Sequence, residues 1–308
     1  MAKRKKRKKK SSVFSTVLLF VIFFAGLSLL LYPTVANYIN ELHGSKAISE
    51  YSATVAKMGE IEYDLRWSEA LAYNQSLTKR ANGYVLEDEQ KQQYEDILNI
   101  GGNGVMGYIE IPSIDVKLPI YHGTSDLVLQ VAAGHLEWTS LPVGGTSTHC
   151  VLSGHRGLPS AKLFTNLDKL VEGDLFMLRV LNEVLTYEVD QILTVLPSNT
   201  SDLQIVNNKD YCTLLTCTPY GINSHRLLVR GHRVENPEIA ATVRISAEAV
   251  QIEPILVASV LAVPLLVAFM VIIFVVEPVR KKKEKGRKIV KIPKENVTKF
   301  DIVKFCNL

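Results

Sequence analysis

The stretch Tyr211–Gly231 reads YCTLLTCTPYGINSHRLLVRG. Its first seven residues are rich in strand formers and end in Cys217; Thr218, Pro219, Tyr220 and Gly221 have the composition of a turn, and Arg226 opens a second strand-like run. A hairpin of that length returns Arg226 to the neighbourhood of Cys217. A cysteine nucleophile needs a route to the thiolate and a donor for the oxyanion, and a guanidinium at that position could supply the second. Successive residues of a strand point to opposite faces, so His225 and Arg226 cannot both line one wall of a cleft, and His225 is read as non-catalytic.

Upstream, VLSGHRG (Val151–Gly157) is a second strand ending in a glycine-flanked histidine, His155. Strand ends present side chains to clefts, but a Cys and a His at two strand ends do not by themselves prove a catalytic pair, because a buried cysteine is usually a small core hydrophobe. Beyond Val105 the chain is a series of short β-rich runs separated by Gly, Pro, Ser and Asn. The expected strands are Met106–Ile111, Val116–Tyr121, Thr148–Ser153, Leu175–Val180, Leu185–Leu196, Tyr211–Cys217 and Arg226–Val234. The fold class expected is mainly β, a closed barrel of seven to eight strands over residues 105–236, which leaves few exposed edges.

Before the barrel, residues 33–104 read as a helical extension and lid region. Ile48, Tyr51, Val55 and Met58 recur at helical spacing, and Trp67, Ala70, Leu71 and Asn74 continue it. Gly44 and Gly59 weaken the helix locally, which predicts two or three pieces over 37–80. The polar, acidic stretch Asn82–Gln93 and the glycines at 101, 102 and 104 read as a mobile connection.

Two apolar runs, 13–32 and 254–276, are each long enough to cross a hydrocarbon core of about 30 Å. The first exceeds the apolar core of a signal peptide, and no small-residue cleavage site follows promptly, which favours an anchor. Lys3–Lys10 is unbroken basic sequence within segment 1–12, and the tail 277–308 carries seven basic residues between Arg280 and Lys288. Basic flanks stay on the cytoplasmic side, so both termini are expected inside and the barrel outside, joined to the second span by a linker, 237–253. The net charge of +4 comes largely from those flanks, so no nucleic-acid face is implied.

The four cysteines at 150, 212, 217 and 306 form no CxxC pair, and His122, His135 and His232 lack companion spacing, so no metal site is predicted. His149 is expected to pack or to face solvent. Cys150 and Cys212 each lie five residues before His155 and Cys217, so neighbouring strands would bring them together and open the question of a disulfide. Ser153 with Lys162 is the one Ser-Lys dyad that can be named for a serine-protease reading.

TLLTC followed by Arg226, together with SGH, resembles the signature of the sortases. The likeness runs from Met106 to Val234 and includes GHRGLPSAKLFTNLDKL (Gly154–Leu170) and TLLTCTPYGINSHRLLVRG (Thr213–Gly231). The resemblance implies a sortase-type barrel and a cysteine transpeptidase. Cys217 would be the nucleophile, His155 the acid that protonates the leaving amine, Arg226 the group that positions substrate and stabilises the oxyanion, and Thr216 a support of the oxyanion site. The longer blocks, the helical extension and the second span look like class C, whose members polymerise pilins. The implied partners are an LPxTG-like sorting signal and an amine, from a pilin lysine or a cell-wall precursor, and no cofactor is required. A housekeeping-type sortase and a non-catalytic pilus scaffold are the alternatives. Class C members often carry an Asp-Pro-aromatic lid; Ala81–Glu89 (ANGYVLEDE) lacks that triplet, leaving Tyr84 as the aromatic that could hold one.

Overall fold

The computed structural model describes residues 11–77 and 86–236; the second apolar run, the basic tail with Cys306, and Tyr84 lie outside them. Eight strands close into a barrel: β1 (Val105–Ile111), β2 (Val116–His122), β3 (Ala133–His135), β4 (Thr148–Ser153), β5 (Leu175–Val180), β6 (Glu183–Val195), β7 (Asp210–Thr218) and β8 (His225–Val234). Neighbours run in the order β1-β2-β3-β4-β7-β8-β6-β5, and β5 pairs back onto β1. Most pairs are antiparallel; β2 with β3 and β4 with β7 are parallel. The seven expected strands appear within a residue or two of their expected ends. The eighth, β3, is three residues long and too short to show a period in sequence.

Side chains alternate between the two faces of the wall. On β4, β7 and β8 the set Cys150, Leu152, Cys212, Leu214, Leu227 and Val229 fills the barrel interior. The opposite set, Val151, Leu215 and Leu228, forms a smaller apolar cluster outside the wall, with Leu193 and Val195 of β6 and Trp138 from the β3–β4 connection.

Helix α1 runs unbroken from Ser11 to Val55, and α2 spans Glu60–Leu77. The chain breaks at Gly59 as expected, but Gly44 stays helical. It faces Pro119 of β2, where an added Cβ would lie 3.6 Å from the proline ring, an ordinary contact, so the helix packs along β2 without needing glycine there. Ile48, Tyr51 and Val55 form the buried face, as their spacing predicts. The Tyr51 hydroxyl donates to Met106 O (2.9 Å) and accepts from Leu181 N (2.8 Å), bridging β1 and the end of β5. Tyr51→Phe leaves both backbone groups buried and unpaired, a loss of about 2–4 kcal/mol. Chemical denaturation of the two proteins checks it, and a change below about 1 kcal/mol would contradict the assignment.

The acidic stretch expected to be a mobile connection instead contributes helix α3, Asp88–Asp96. Glu87 N donates to Gln90 Oε1 (3.2 Å), which opens the helix. Tyr94 then plants its ring among His122, His135 and Tyr73. Its hydroxyl accepts from Gly123 N at 2.9 Å. One buried aromatic outweighs a polar composition here, because Tyr94 is almost fully removed from solvent.

Candidate active site

Cys217 and Arg226 are direct cross-strand partners on β7 and β8, so their side chains leave the same face of the wall. That face is the outer one, continuous with Leu215 and Leu228, and Val195 of β6 lies opposite Arg226 on its other side. β4 runs parallel to β7 with Ser153 opposite Leu215. Two residues further along each strand direction lie His155 and Cys217, at one end of the barrel. The structure therefore brings Cys217, His155 and Arg226 to one strand-end cluster at the head of an apolar strip. Arg226 Nη1 is turned onto Asn223 O (3.3 Å) and His225 O (3.2 Å), which fixes the guanidinium beside the β7–β8 turn.

His225 pairs with Thr218 and so takes the other face from Arg226. Its Nδ1 meets Ser224 Oγ at 2.9 Å. Thr216 also belongs to the opposite face from Cys217 and is almost completely buried. Its hydroxyl donates to Gly154 O at 2.7 Å. It joins β7 to the residue before His155, while Gly154 N donates to Leu215 O (3.0 Å), so two bonds lock the strand ends together.

The loop after His155 is closed by Phe164 N donating to His155 O (3.1 Å). Gly154 is required beside it: a Cβ there would come within 2.6 Å of the Phe164 ring. Arg156 bridges the two turns of the site. Its guanidinium pairs with Asp168, reaches Thr218 Oγ1 at 3.5 Å, and lies 5.8 Å from the centre of the Tyr220 ring. The side chain is only 8% exposed, and its Nε is buried without a hydrogen-bond partner. Nothing in the sequence singled out Arg156, Asp168 or Phe164, because their partners lie on turns distant in sequence.

His149, His135, Cys150 and Cys212 are buried in structural surroundings. His149 bonds Thr213 Oγ1 (2.7 Å) and Gln204 O (2.8 Å), and burial pushes its pKa down to about 4. His135 is buried between Tyr94 and Ser140 O. Cys150 and Cys212 stand directly opposite in register, as neighbouring strands require, and both are free thiols inside the barrel. Burial and the adjacent Cys150 push the Cys212 thiol well up. Among the described residues, no group of three or more His, Cys, Asp or Glu is placed to hold a metal ion.

The Sortase domain family profile matches residues 109–234. Sortase D of Bacillus subtilis is 31% identical over 131 residues, 42% of this chain and 63% of that protein. Sortase A of Streptococcus agalactiae is 31% identical over 117 residues, 37% of this chain and 47% of that protein. The chain thus spans less than two thirds of these two relatives. Among solved structures, sortase C1 from Streptococcus agalactiae is 53% identical, with a TM-score of 0.61, and the match covers 62% of this chain and all of that one. A Clostridium perfringens sortase C, described with the C-terminal cell wall sorting motif, is 47% identical with a TM-score of 0.56, over 62% of this chain and all of that one.

Proposed function

The chain belongs to the sortase family, in its class C branch, and from that premise we propose that it is a membrane-anchored cysteine transpeptidase that joins pilin subunits. The observation that carries this is the register of β7 against β8 and β4, which gathers Cys217, Arg226 and His155 at one end and leaves no other cysteine of the described residues exposed to substrate.

The Cys217 thiolate attacks the carbonyl carbon of the Thr-Gly bond in an LPxTG-like signal. The oxyanion that forms is met by the Arg226 guanidinium, held in place beforehand by the Asn223 and His225 carbonyls. Collapse breaks the C–N bond, and His155 gives its proton to the departing amine, leaving a thioester on Sγ. A pilin lysine amine then attacks the thioester carbonyl; neutral His155 takes the amine proton, the sulfur leaves, and an isopeptide bond remains. Thr216 acts at one remove, through its bond to Gly154 O, by fixing the strand end that carries His155. The apolar strip of Leu193, Val195 and Leu215, backed by buried Leu228, suits the Leu-Pro part of such a signal.

Helix α1 is long and apolar enough to cross a membrane. A second span at 254–276, with both termini cytoplasmic and the barrel outside, completes the arrangement proposed. The test is intact mass spectrometry of the full chain in detergent micelles after incubation with an LPxTG peptide. Wild type is expected to gain the mass of the peptide up to Thr, and Cys217→Ala to gain nothing; a lysine-containing pilin peptide then discharges the adduct. An adduct that survives in Cys217→Ala, or none on wild type, overturns the reading.

A further inference from the structure

One rigid element joins the apolar N-terminal run to the barrel. α1 is a single helix whose exposed side chains up to Tyr32 are almost all apolar, among them Leu18, Ile22, Phe24, Leu29 and Leu30. The same helix meets the barrel shortly afterwards. Asn37 Oδ1 accepts from Lys162 N at 2.8 Å, and Asn40 Nδ2 donates to Val131 O at 3.4 Å. Lys162 lies in the loop closed by the His155–Phe164 bond, so the loop that carries His155 is pinned to α1.

At about 1.5 Å of rise per residue, Asn37 and Asn40 stand about 7 and 12 Å beyond Tyr32 along the axis. Each headgroup layer is itself about 5–8 Å thick. A helix that ends its hydrocarbon crossing near Tyr32 therefore delivers the His155 loop, through Asn37, to the lipid headgroups, and holds α4 (Asp126–Leu129), next to Val131, at their outer edge. The surface there is apolar where it is most exposed: Leu127 is 80% and Val131 42% accessible. On the side of α1 away from Asn37 and Asn40, Val35, Tyr38, Ile39 and Leu42 are exposed at i, i+3, i+4 and i+7, so the stripe continues into the interface.

We propose that the end of the barrel bearing Cys217, His155 and Arg226 is seated on the phospholipid headgroup layer of the bilayer holding α1, through Leu127, Val131 and the His155–Thr165 loop. This rests on the transpeptidase reading and adds a position to it: the site stands at headgroup depth. A signal free in solution gains nothing from the seat, whereas one tethered at headgroup depth is presented at the height of the site.

Two measurements on the full chain in phosphatidylcholine–phosphatidylglycerol vesicles test this. In the first, Leu127→Trp is compared with Ile61→Trp, which sits far along the extension on α2 and is 88% exposed; wild type supplies the background of Trp67 and Trp138. Lipids carrying a nitroxide on the headgroup are expected to quench the residue-127 tryptophan and not the residue-61 one. In the second, seven helix-forming residues drawn from Glu, Lys and Ala are inserted between Ala36 and Asn37. Seven residues lift the barrel by about 10 Å while turning it by only about 20°. Turnover of a lipid-anchored LPxTG peptide should fall at least about tenfold, with the rate on the soluble peptide unchanged. Equal quenching at both positions, quenching at neither, or an unchanged rate on the anchored peptide overturns the seat. Failure of wild type on both peptides overturns the transpeptidase reading, and the quenching result still decides the seat.

Discussion

Arg226→Lys keeps a positive charge opposite Cys217, yet it is expected to slow thioester formation by about two orders of magnitude, and Arg226→Ala by about three. The reason is geometric. In this structure Nη1 is held by two carbonyls, Asn223 O and His225 O, and no acceptor among the described residues takes Nη2 or Nε. A planar fork can keep that anchor and still aim its other N–H groups at an oxyanion; an ammonium is one point and must do one or the other. Lysine would either stay with the carbonyls or swing free of them, and in both cases the preorganisation is lost. Single-turnover acylation, quenched and followed by intact mass, reads the rate. Alkylation of Cys217 by iodoacetamide, which forms no oxyanion, should change by less than about threefold in the same variants. If Arg226→Lys acylates within threefold of wild type, the oxyanion role assigned to Arg226 is wrong.

The pairing of Cys217 with Arg226 was visible in the sequence. Cys217 and Arg226 are nine positions apart across a turn-like segment, and a short turn fixes hairpin register, so their juxtaposition could be read locally. The place of His155 could not be read the same way. It depends on β4 lying parallel to β7, with Ser153 opposite Leu215 across a long crossover, and parallel pairing leaves no local signal in either strand. The family resemblance supplied that contact in advance. The same limit hid β3, which has only three residues, and α3, whose polar composition conceals the one residue, Tyr94, that holds it down. The direct opposition of Cys150 and Cys212 was conditional on the strands being neighbours, and they are. Arg156 escaped notice because its meaning lies in Asp168, Thr218 and Tyr220, which come together only after the barrel has closed.

Phe164→Ala is expected to cost about 3–5 kcal/mol, the largest stability loss of any single change considered. The ring is fully buried, belongs to the main core, and fills the space that Gly154 leaves by having no side chain. Its backbone also matters, since Phe164 N bonds His155 O and Leu167 N bonds Phe164 O, so the ring sits at the base of the loop that carries His155. Removing it opens a cavity directly under that loop. The converse change is informative: in Gly154→Ala the new methyl would meet the Phe164 ring at 2.6 Å, so one must shift, an overpacking cost of about 1–3 kcal/mol. Because the two residues occupy one space, their effects should not add. Gly154→Ala combined with Phe164→Leu is expected to be more stable than the sum of the single losses predicts, by about 1 kcal/mol or more. Urea denaturation of the four proteins measures the cycle. Strict additivity would mean that Phe164 does not pack on Gly154 in solution, and that the loop bearing His155 is held by something other than this ring.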